Sequence, residues 1–330
     1  MPATSTSTIH PQRAIEGGRV DIEGTSFGTS RELMPEVRVG GQRARVVFAS
    51  TTRLGVIVPA GLDSGRATVQ VAAVDGPAGF VDIAAPFATG LHQVDNPVFD
   101  REGNLYVTYS GTRGQQVPVS IFRVRPNGTR ETFSSGIVNP TSLAVDPSGQ
   151  LFVSSRFEGT VYKVKADGSA EPFAHDLGVA CGLAFAPDGI LFVGDRSGTI
   201  FRVDPGGHAT TFATLPASVA AFHLAIGPDR SLYVTGPTLS SYDPLYRIDP
   251  DGTITTAYAR FGRPQGLAFD ANGALYVVEA LAGASGLYRV SAEKDPELVL
   301  AGPGLVGVAF DPGGNIVVAS NETAYRLPVR

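Results

Sequence analysis

The sequence holds a single cysteine, Cys181, no tryptophan and two methionines in 330 residues. One thiol forms no intrachain disulfide and builds no thiolate zinc site. Charged residues make up 17% of the chain, below the roughly 25% of an average globular protein. The net charge of −5 excludes the basic footprint of a nucleic-acid reader. No apolar run approaches the ~18 residues of a membrane-spanning helix, and no helix-period segment of useful length is present. The N-terminal Met1-Pro-Ala-Thr-Ser-Thr-Ser-Thr8 lacks the charged and apolar regions of a secretory signal, so a cytoplasmic protein is expected. In that setting Asn127-Gly-Thr129 and Asn321-Glu-Thr323 read as turns rather than glycosylation acceptors. What the chain has in quantity is 40 glycines and 24 prolines, a turn-rich content that stays short of the ~25–30% of a disordered chain. Apolar residues reach 43%, enough for a sizeable core.

From about residue 95 the chain repeats itself. Asn96-Pro-Val-Phe-Asp100 with Gly103-Asn-Leu-Tyr-Val107 opens the series. Ser142-Leu-Ala-Val-Asp146 with Gly149-Gln-Leu-Phe-Val153 follows, then Gly182-Leu-Ala-Phe-Ala186 with Gly189-Ile-Leu-Phe-Val193. Three more units are His223-Leu-Ala-Ile-Gly227 with Arg230-Ser-Leu-Tyr-Val234, Gly266-Leu-Ala-Phe-Asp270 with Gly273-Ala-Leu-Tyr-Val277, and Gly307-Val-Ala-Phe-Asp311 with Gly314-Asn-Ile-Val-Val318. Each reads as strand, tight turn, strand. A third strand follows in every unit, as in Ile121-Phe-Arg-Val124 or Leu245-Tyr-Arg-Ile248. In most units a further turn and a fourth strand come next, as in Glu171-Pro-Phe173. Four strands in about 41 residues is the unit of a β-propeller blade, so the pattern predicts six blades over 85–330. The sixth unit stops at its third strand. Pro86-Phe-Ala-Thr-Gly-Leu91 resembles the fourth strands, so residues 85–90 are predicted to supply that blade's outer strand and remove two open edges.

Residues 1–84 do not carry the repeat. Short alternating strands such as Val20-Asp-Ile22, Val37-Arg-Val39 and Thr68-Val-Gln-Val71 predict a small β-sandwich. The ordered string Ala14-Ile-Glu-Gly-Gly18, Ile22-Glu-Gly-Thr-Ser-Phe-Gly28, Val39-Gly-Gly41, Val58-Pro-Ala-Gly61 and Ser64-Gly-Arg-Ala-Thr-Val-Gln-Val71 resembles the TIG (IPT) immunoglobulin-like family. The resemblance implies a spacer or interaction module. Asp75-Gly-Pro-Ala-Gly79 is read as the short connection to the propeller.

The string Gly-Leu-Ala-Phe-Asp-x-x-Gly-x-Leu-Tyr-Val resembles NHL repeats and the gluconolactonase and senescence-marker-protein family across about residues 86–330. The NHL resemblance implies binding surfaces without chemistry. The lactonase resemblance implies calcium or another divalent metal at one mouth of the central channel. Its first ligand position falls on Asp95, in Asp95-Asn96-Pro97, and the other two fall on Phe222 and Gln265. Phenylalanine binds no metal and glutamine offers a neutral oxygen, where hard cations want several oxygens that usually include carboxylates.

Asp100, Asp146, Asp270 and Asp311 recur at one place in four units and read as turn acceptors. The Arg or Lys at 123, 163, 202, 247, 289 and 326 tracks the repeat and reads as structural. Residues confined to one unit, at the segments that reach the channel mouth, are the site candidates. Asp195 and His223 are the catalytic candidates, as an acid–base pair. Asn96, Arg156, Arg196, Gln265, Glu279 and Asn321 are the ligand-binding candidates, and Asp95 is the metal candidate. Cys181 reads as a buried inert thiol. The two longest insertions, Gly236–Pro244 and Gly111–Pro118, lie where ligand contacts would be built. Two functions follow. The first is a non-enzymatic recognition propeller that takes a small molecule or a protein at its mouth. The alternative is a metal-dependent lactone hydrolase with an altered site.

Overall fold

Runs of Val, Ile, Leu, Phe and Tyr, broken every few residues by Asp, Pro and Gly, leave the chain little choice but strands and turns. The computed structural model describes residues 7–25, 27–28, 34–72, 77–281 and 283–327; these form 32 strands and no helix. Residues 1–6, Ser26 of the TIG-like string and residues 75–76 of the expected connection lie outside them. The chain divides into two compact units. One holds the described residues up to Ala85 together with Leu281–Arg289 and Pro296–Gly304, and the other holds the rest.

The first unit contains β1 (Thr8–His10), β2 (Arg13–Ala14), β3 (Arg19–Glu23), β4 (Val37–Val39), β5 (Gln42–Ala49), β6 (Arg53–Ile57), β7 (Gly65–Val71) and β8 (Gly79–Ile83). Its hydrogen-bonded neighbours run β1-β3-β6-β5-β4-β7-β8-β2. One half of β5 pairs with β4 (Val37↔Ala44) and the other with β6 (Arg45↔Ile57), so the order is continuous. This corrects the expected immunoglobulin-like sandwich: β5 carries the hydrogen-bond ladder from one half to the other instead of leaving two separate sheets. The alternating burial of β3, β4 and β7 packs Val20, Ile22, Val37, Val39, Val69 and Val71 into one core. Each such side chain contributes about 1.5–3 kcal/mol by burial.

In the second unit five four-stranded sheets share one plan. The first has β10 (Val98–Phe99), β11 (Leu105–Thr108), β12 (Ile121–Val124) and β13 (Arg130–Ser134). The second has β14 (Pro140–Val145), β15 (Leu151–Ser155), β16 (Thr160–Val164) and β17 (Ala170–Ala174). The third has β18 (Ala180–Phe185), β19 (Leu191–Asp195), β20 (Thr199–Val203) and β21 (Ala209–Thr214). The fourth has β22 (His223–Ile226), β23 (Leu232–Thr235), β24 (Asp243–Ile248) and β25 (Ile254–Phe261). The last joins β30 (Leu305–Phe310), β31 (Ile316–Ser320) and β32 (Thr323–Leu327) to β9 (Ala85–Thr89) as its outer strand. The register repeats from blade to blade: Leu143 faces Val153, Leu183 faces Val193 and Val308 faces Val318. The fold is therefore an all-β propeller with five such blades.

The expectation of six four-stranded blades is corrected at the fifth repeat. Its first two strands, β26 (Pro264–Phe269) and β27 (Leu275–Glu279), keep the shared register, with Leu267 opposite Val277. Its last two, β28 (Gly286–Val290) and β29 (Glu297–Ala301), group almost entirely with the first unit. There Ala14 of β2 pairs parallel with both Ile83 and Ala301. Because β2 occupies the outer edge of β29, these strands do not form a separate four-stranded sheet.

The inner strands neighbour one another in the order β10, β14, β18, β22, β26, β30, and β30 meets β10 again. Facing sheets are cemented by rings: Phe152 stacks on Phe185, Tyr233 on Phe269 and Tyr276 on Phe310, with centroids 4.9, 5.1 and 5.2 Å apart. Glycine opens the inner strand where the backbone of a neighbouring segment comes close. A Cβ on Gly307 would stand 2.6 Å from the Asp95 carbonyl oxygen and 2.8 Å from Asn96 Cα.

Candidate functional site

In each blade the start of the inner strand and the end of the second strand lie at one end, the mouth, because the strands run up and down. The Asp-x-x-Gly turns lie at the other end. Asp95 enters the first inner strand and His223 begins the fourth. In the ring of inner strands these two sit three neighbours apart in either direction, so they face each other across the channel. They bond there: His223 Nδ1 lies 2.5 Å from Asp95 Oδ1, and both side chains are buried. Asp95 Oδ1 also accepts the Asn96 N–H at 2.7 Å. In the tautomer that gives Nδ1–H to the carboxylate, Nε2 is an acceptor. That nitrogen is buried and has no partner among the described residues.

Asn96 is a clasp. Its Nδ2 donates to Leu267 O at 2.8 Å, and its Oδ1 accepts Val308 N–H at 2.9 Å, which ties three inner strands together. Gln93, which the sequence reading passed over, is fully buried; it donates to Asp95 O at 2.5 Å and accepts Thr108 N–H at 2.9 Å. Asn321 donates to Gln93 O at 3.0 Å.

Asp195 and Glu279 hold backbone. Asp195 Oδ1 accepts Val179 N–H at 2.7 Å, and its Oδ2 accepts the Ser197 hydroxyl. Glu279 accepts Gly262 N–H at 2.6 Å and Arg263 N–H at 2.8 Å. Each closes a second strand and secures the loop that feeds its own blade's inner strand. Ser155 occupies the same place in the second blade, where its hydroxyl donates to Val138 O at 2.5 Å. The position is therefore part of the repeat, with the residue type varied.

Other links between blades also escaped the sequence reading. Ser154 Oγ donates to Cys181 O at 3.2 Å, and at the matching place Thr235 Oγ1 donates to Gln265 O at 2.6 Å. The Gln265 side-chain amide has no protein partner among the described residues.

Three arginines gather at the mouth beside Cys181. Arg156 and Arg196 follow the second strands of two adjacent blades, and Arg113 sits in the 111–118 loop. That loop is pinned by Asn139, whose Nδ2 donates to Ser110 O at 2.6 Å and Thr112 O at 2.7 Å and whose Oδ1 accepts Gly114 N–H at 2.6 Å. Arg156 is half-buried and reaches Gly111 O at only 3.5 Å. Arg196 Nε donates to Ser218 O at 3.3 Å. Among the described residues none of the three pairs with a carboxylate. Burial holds Arg156 below the usual arginine range; Cys181 opposes this, and the like charges of Arg196 and Arg113 add to it. Burial, with Asp95 and Asp195 adding and Arg156 and Arg196 opposing, pushes the Cys181 thiol up to about 12, so it stays a protonated, inert group.

The divalent metal implied by the lactonase resemblance does not fit these residues. Asp95 is committed to His223 and Asn96 N–H, Phe222 is buried hydrocarbon, and Gln265 supplies at most a neutral oxygen. Among the described residues no three His, Cys, Asp or Glu side chains converge as a metal cluster.

Fold and site together define a β-propeller whose channel is crossed by an Asp–His bond and rimmed by unpaired arginines. No family model and no curated protein matches the sequence. Solved structures are similar to it. An auxiliary nutrient binding protein from Bacteroides thetaiotaomicron is 13% identical with a TM-score of 0.58, covering 99% of this chain and 98% of that one. A gluconolactonase from Xanthomonas campestris is 16% identical with a TM-score of 0.59, covering 73% and 89%. A catalytically inactive virginiamycin B lyase from Staphylococcus aureus, bound to quinupristin, is 14% identical with a TM-score of 0.54, covering 89% and 100%. At these identities the likeness is one of fold.

Proposed function

We propose that this protein is a non-enzymatic recognition propeller that binds a small polar molecule carrying an anionic group at the channel mouth. The carrying observation is the trio Arg113, Arg156 and Arg196, held by built loops without a carboxylate partner. Arg156 is half-buried with no counter-ion and is faced by the exposed like charges of Arg113 and Arg196, and an anion relieves both its burial and their mutual repulsion. The Gln265 amide, mostly buried and without a protein partner among the described residues, offers a neutral hydrogen-bonding partner for the rest of the ligand. The TIG-like segment serves as a spacer or interaction module. The nutrient-binding relatives in fold agree with this reading.

One observation favours a second reading, a lactone hydrolase. His223, oriented by Asp95 and with a free Nε2, has the form of a general base. One experiment separates the two. Gluconate binding is measured by calorimetry, and δ-gluconolactone hydrolysis is followed by pH-stat with and without calcium. Saturable gluconate binding that weakens with salt and drops about tenfold in Arg156→Gln, without turnover, supports recognition. Turnover lost in His223→Gln overturns it in favour of the hydrolase.

A further inference from the structure

At the turn end of the third and fourth blades, away from the mouth, the repeat breaks three times at one spot. In the blades with a turn aspartate, that residue receives backbone N–H groups, and in the last blade Asp311 also holds the third-strand Arg326. The third blade has Ala186 instead of the aspartate. Its third-strand cation, Arg202, faces Thr210 where Arg123 and Arg289 face Glu131 and Glu297. Among the described residues Arg202 makes no ion pair. In the fourth blade the turn also loses its aspartate, to Gly227, yet Asp229 and Asp249 hold Arg247. The matching Asp188 of the third blade lies on the rim and accepts Ile190 N–H at 3.2 Å.

The second break is steric. Phe185, Phe269 and Phe310 each lay a ring on the preceding blade, whereas the second and fourth blades have Val145 and Ile226 at that place. Phe192 therefore stacks only within its own blade, on Phe212, at 4.9 Å. A cavity of about 310 Å³ is found there, walled by Ile190, Phe192, Phe212, Leu232 and Ile248. Its size is at the small end of ligand pockets.

The third break is in the backbone. The other five repeats have glycine at the turn position of Arg230, with φ between +79° and +96° at Gly103, Gly149, Gly189, Gly273 and Gly314. Arg230 adopts φ +64° there, a conformation that disfavours any residue with a Cβ. A strained outlier of this kind points to use. Arg230 and Arg202 both line the cavity, against the single carboxylate of Asp188.

We infer that this cavity is a second ligand site, one that takes a small carboxylate with an apolar body: the body lies on Phe192 and Phe212 and the carboxylate meets Arg202 and Arg230. The site is independent of the mouth.

The test uses octanoate and its uncharged analogue 1-octanol, titrated by calorimetry into the full chain. Octanoate is expected to bind once per chain, with octanol at least about tenfold weaker, the margin expected of one charge-assisted hydrogen bond. Arg202→Gln should cost octanoate about tenfold. Ala186→Asp, which restores the repeat's own carboxylate beside Arg202, should abolish saturable binding while its unfolding curve shows the fold retained. Absence of saturable octanoate binding, equal binding of octanol, or binding unchanged in both variants overturns the proposal.

Discussion

At the turn end of the blades, Asp100, Asp146, Asp270 and Asp311 all do the same thing. Each accepts the N–H four residues on, from Asn104, Gln150, Ala274 and Asn315, at 2.8 to 2.9 Å. At the mouth, Asp95, Asp195 and Glu279 also accept backbone N–H groups, but each from a differently built loop. Carboxylates at both ends thus mainly satisfy main-chain donors, as buried polar groups must. What differs is the cations. At the turn end they are mostly paired, as Arg247, Arg289 and Arg326 are. At the mouth, and at the one broken turn between the third and fourth blades, they are not paired among the described residues. Function is therefore sought where the repeat leaves an arginine without its carboxylate, rather than where acids are plentiful.

The sharpest way to break this comparison is Asp95→Ala. It would leave His223 Nδ1 and Asn96 N–H without acceptors in a buried place. At about 1–3 kcal/mol for each stranded group, a loss near 3 kcal/mol is expected in urea unfolding. A loss below about 1 kcal/mol would mean that the Asp95–His223 bond is not a structural strut and would move attention to its chemistry. Next in size is Gly307→Ala. The new methyl would press on the Asp95 carbonyl and Asn96, and overpacking against backbone costs about 2 kcal/mol. The same change at Gly28, where a Cβ meets nothing within 4 Å among the described residues, should be near neutral and serves as the contrast.

The repeat and its register were readable because Leu-Ala-Phe-Asp and Leu-Tyr-Val alternate in and out at fixed spacing, and the outer strand at 85–89 was readable because Pro86-Phe-Ala copies the fourth strands. The division of the fifth repeat was not readable: the ladder from Ala14 to Ala301 joins residues far apart in sequence, and a two-residue strand carries no pattern. Among the site residues, position alone marked Asp195 and Glu279 as mouth residues. Their role was hidden because Ser155, Asp195 and Glu279 share a place but not a residue type. Arg113 and Gln93 carried no signal of their own; the first lies in an irregular loop and the second in the segment before the first inner strand. The trio of arginines exists only once the blades are folded beside one another.

A third prediction sharpens the turn end. Burial alone would raise the Asp311 carboxyl, but hydrogen bonds from Asn315 and the Arg326 guanidinium outweigh it and hold the group below its ordinary value. A carboxylate depressed in the folded state stabilises the protein above its unfolded value of about 3.9. That contribution is lost as pH falls through the lower folded value. Asp311→Asn should therefore cost about 1 kcal/mol at neutral pH, and its unfolding midpoint should fall less steeply than wild type below pH 4. Equal steepness in the two proteins would remove Asp311 from the account of the turn.

The smallest effect has the opposite sign and bears on the broken turn directly. Arg230→Gly relieves a left-handed conformation that costs a residue with a Cβ about 1–2 kcal/mol. Glycine returns part of this by loosening the unfolded chain, by about 0.5–1 kcal/mol. The difference leaves a net gain of about 0.5 kcal/mol, measurable as a small rise in the urea midpoint. The same substitution in a blade's own idiom would thus make the fold more stable than the natural residue does. If Arg230→Gly instead destabilised by 1 kcal/mol or more, the guanidinium would be anchoring structure. The fourth turn would then belong with the paired turns of its neighbours and not with the arginines at the mouth.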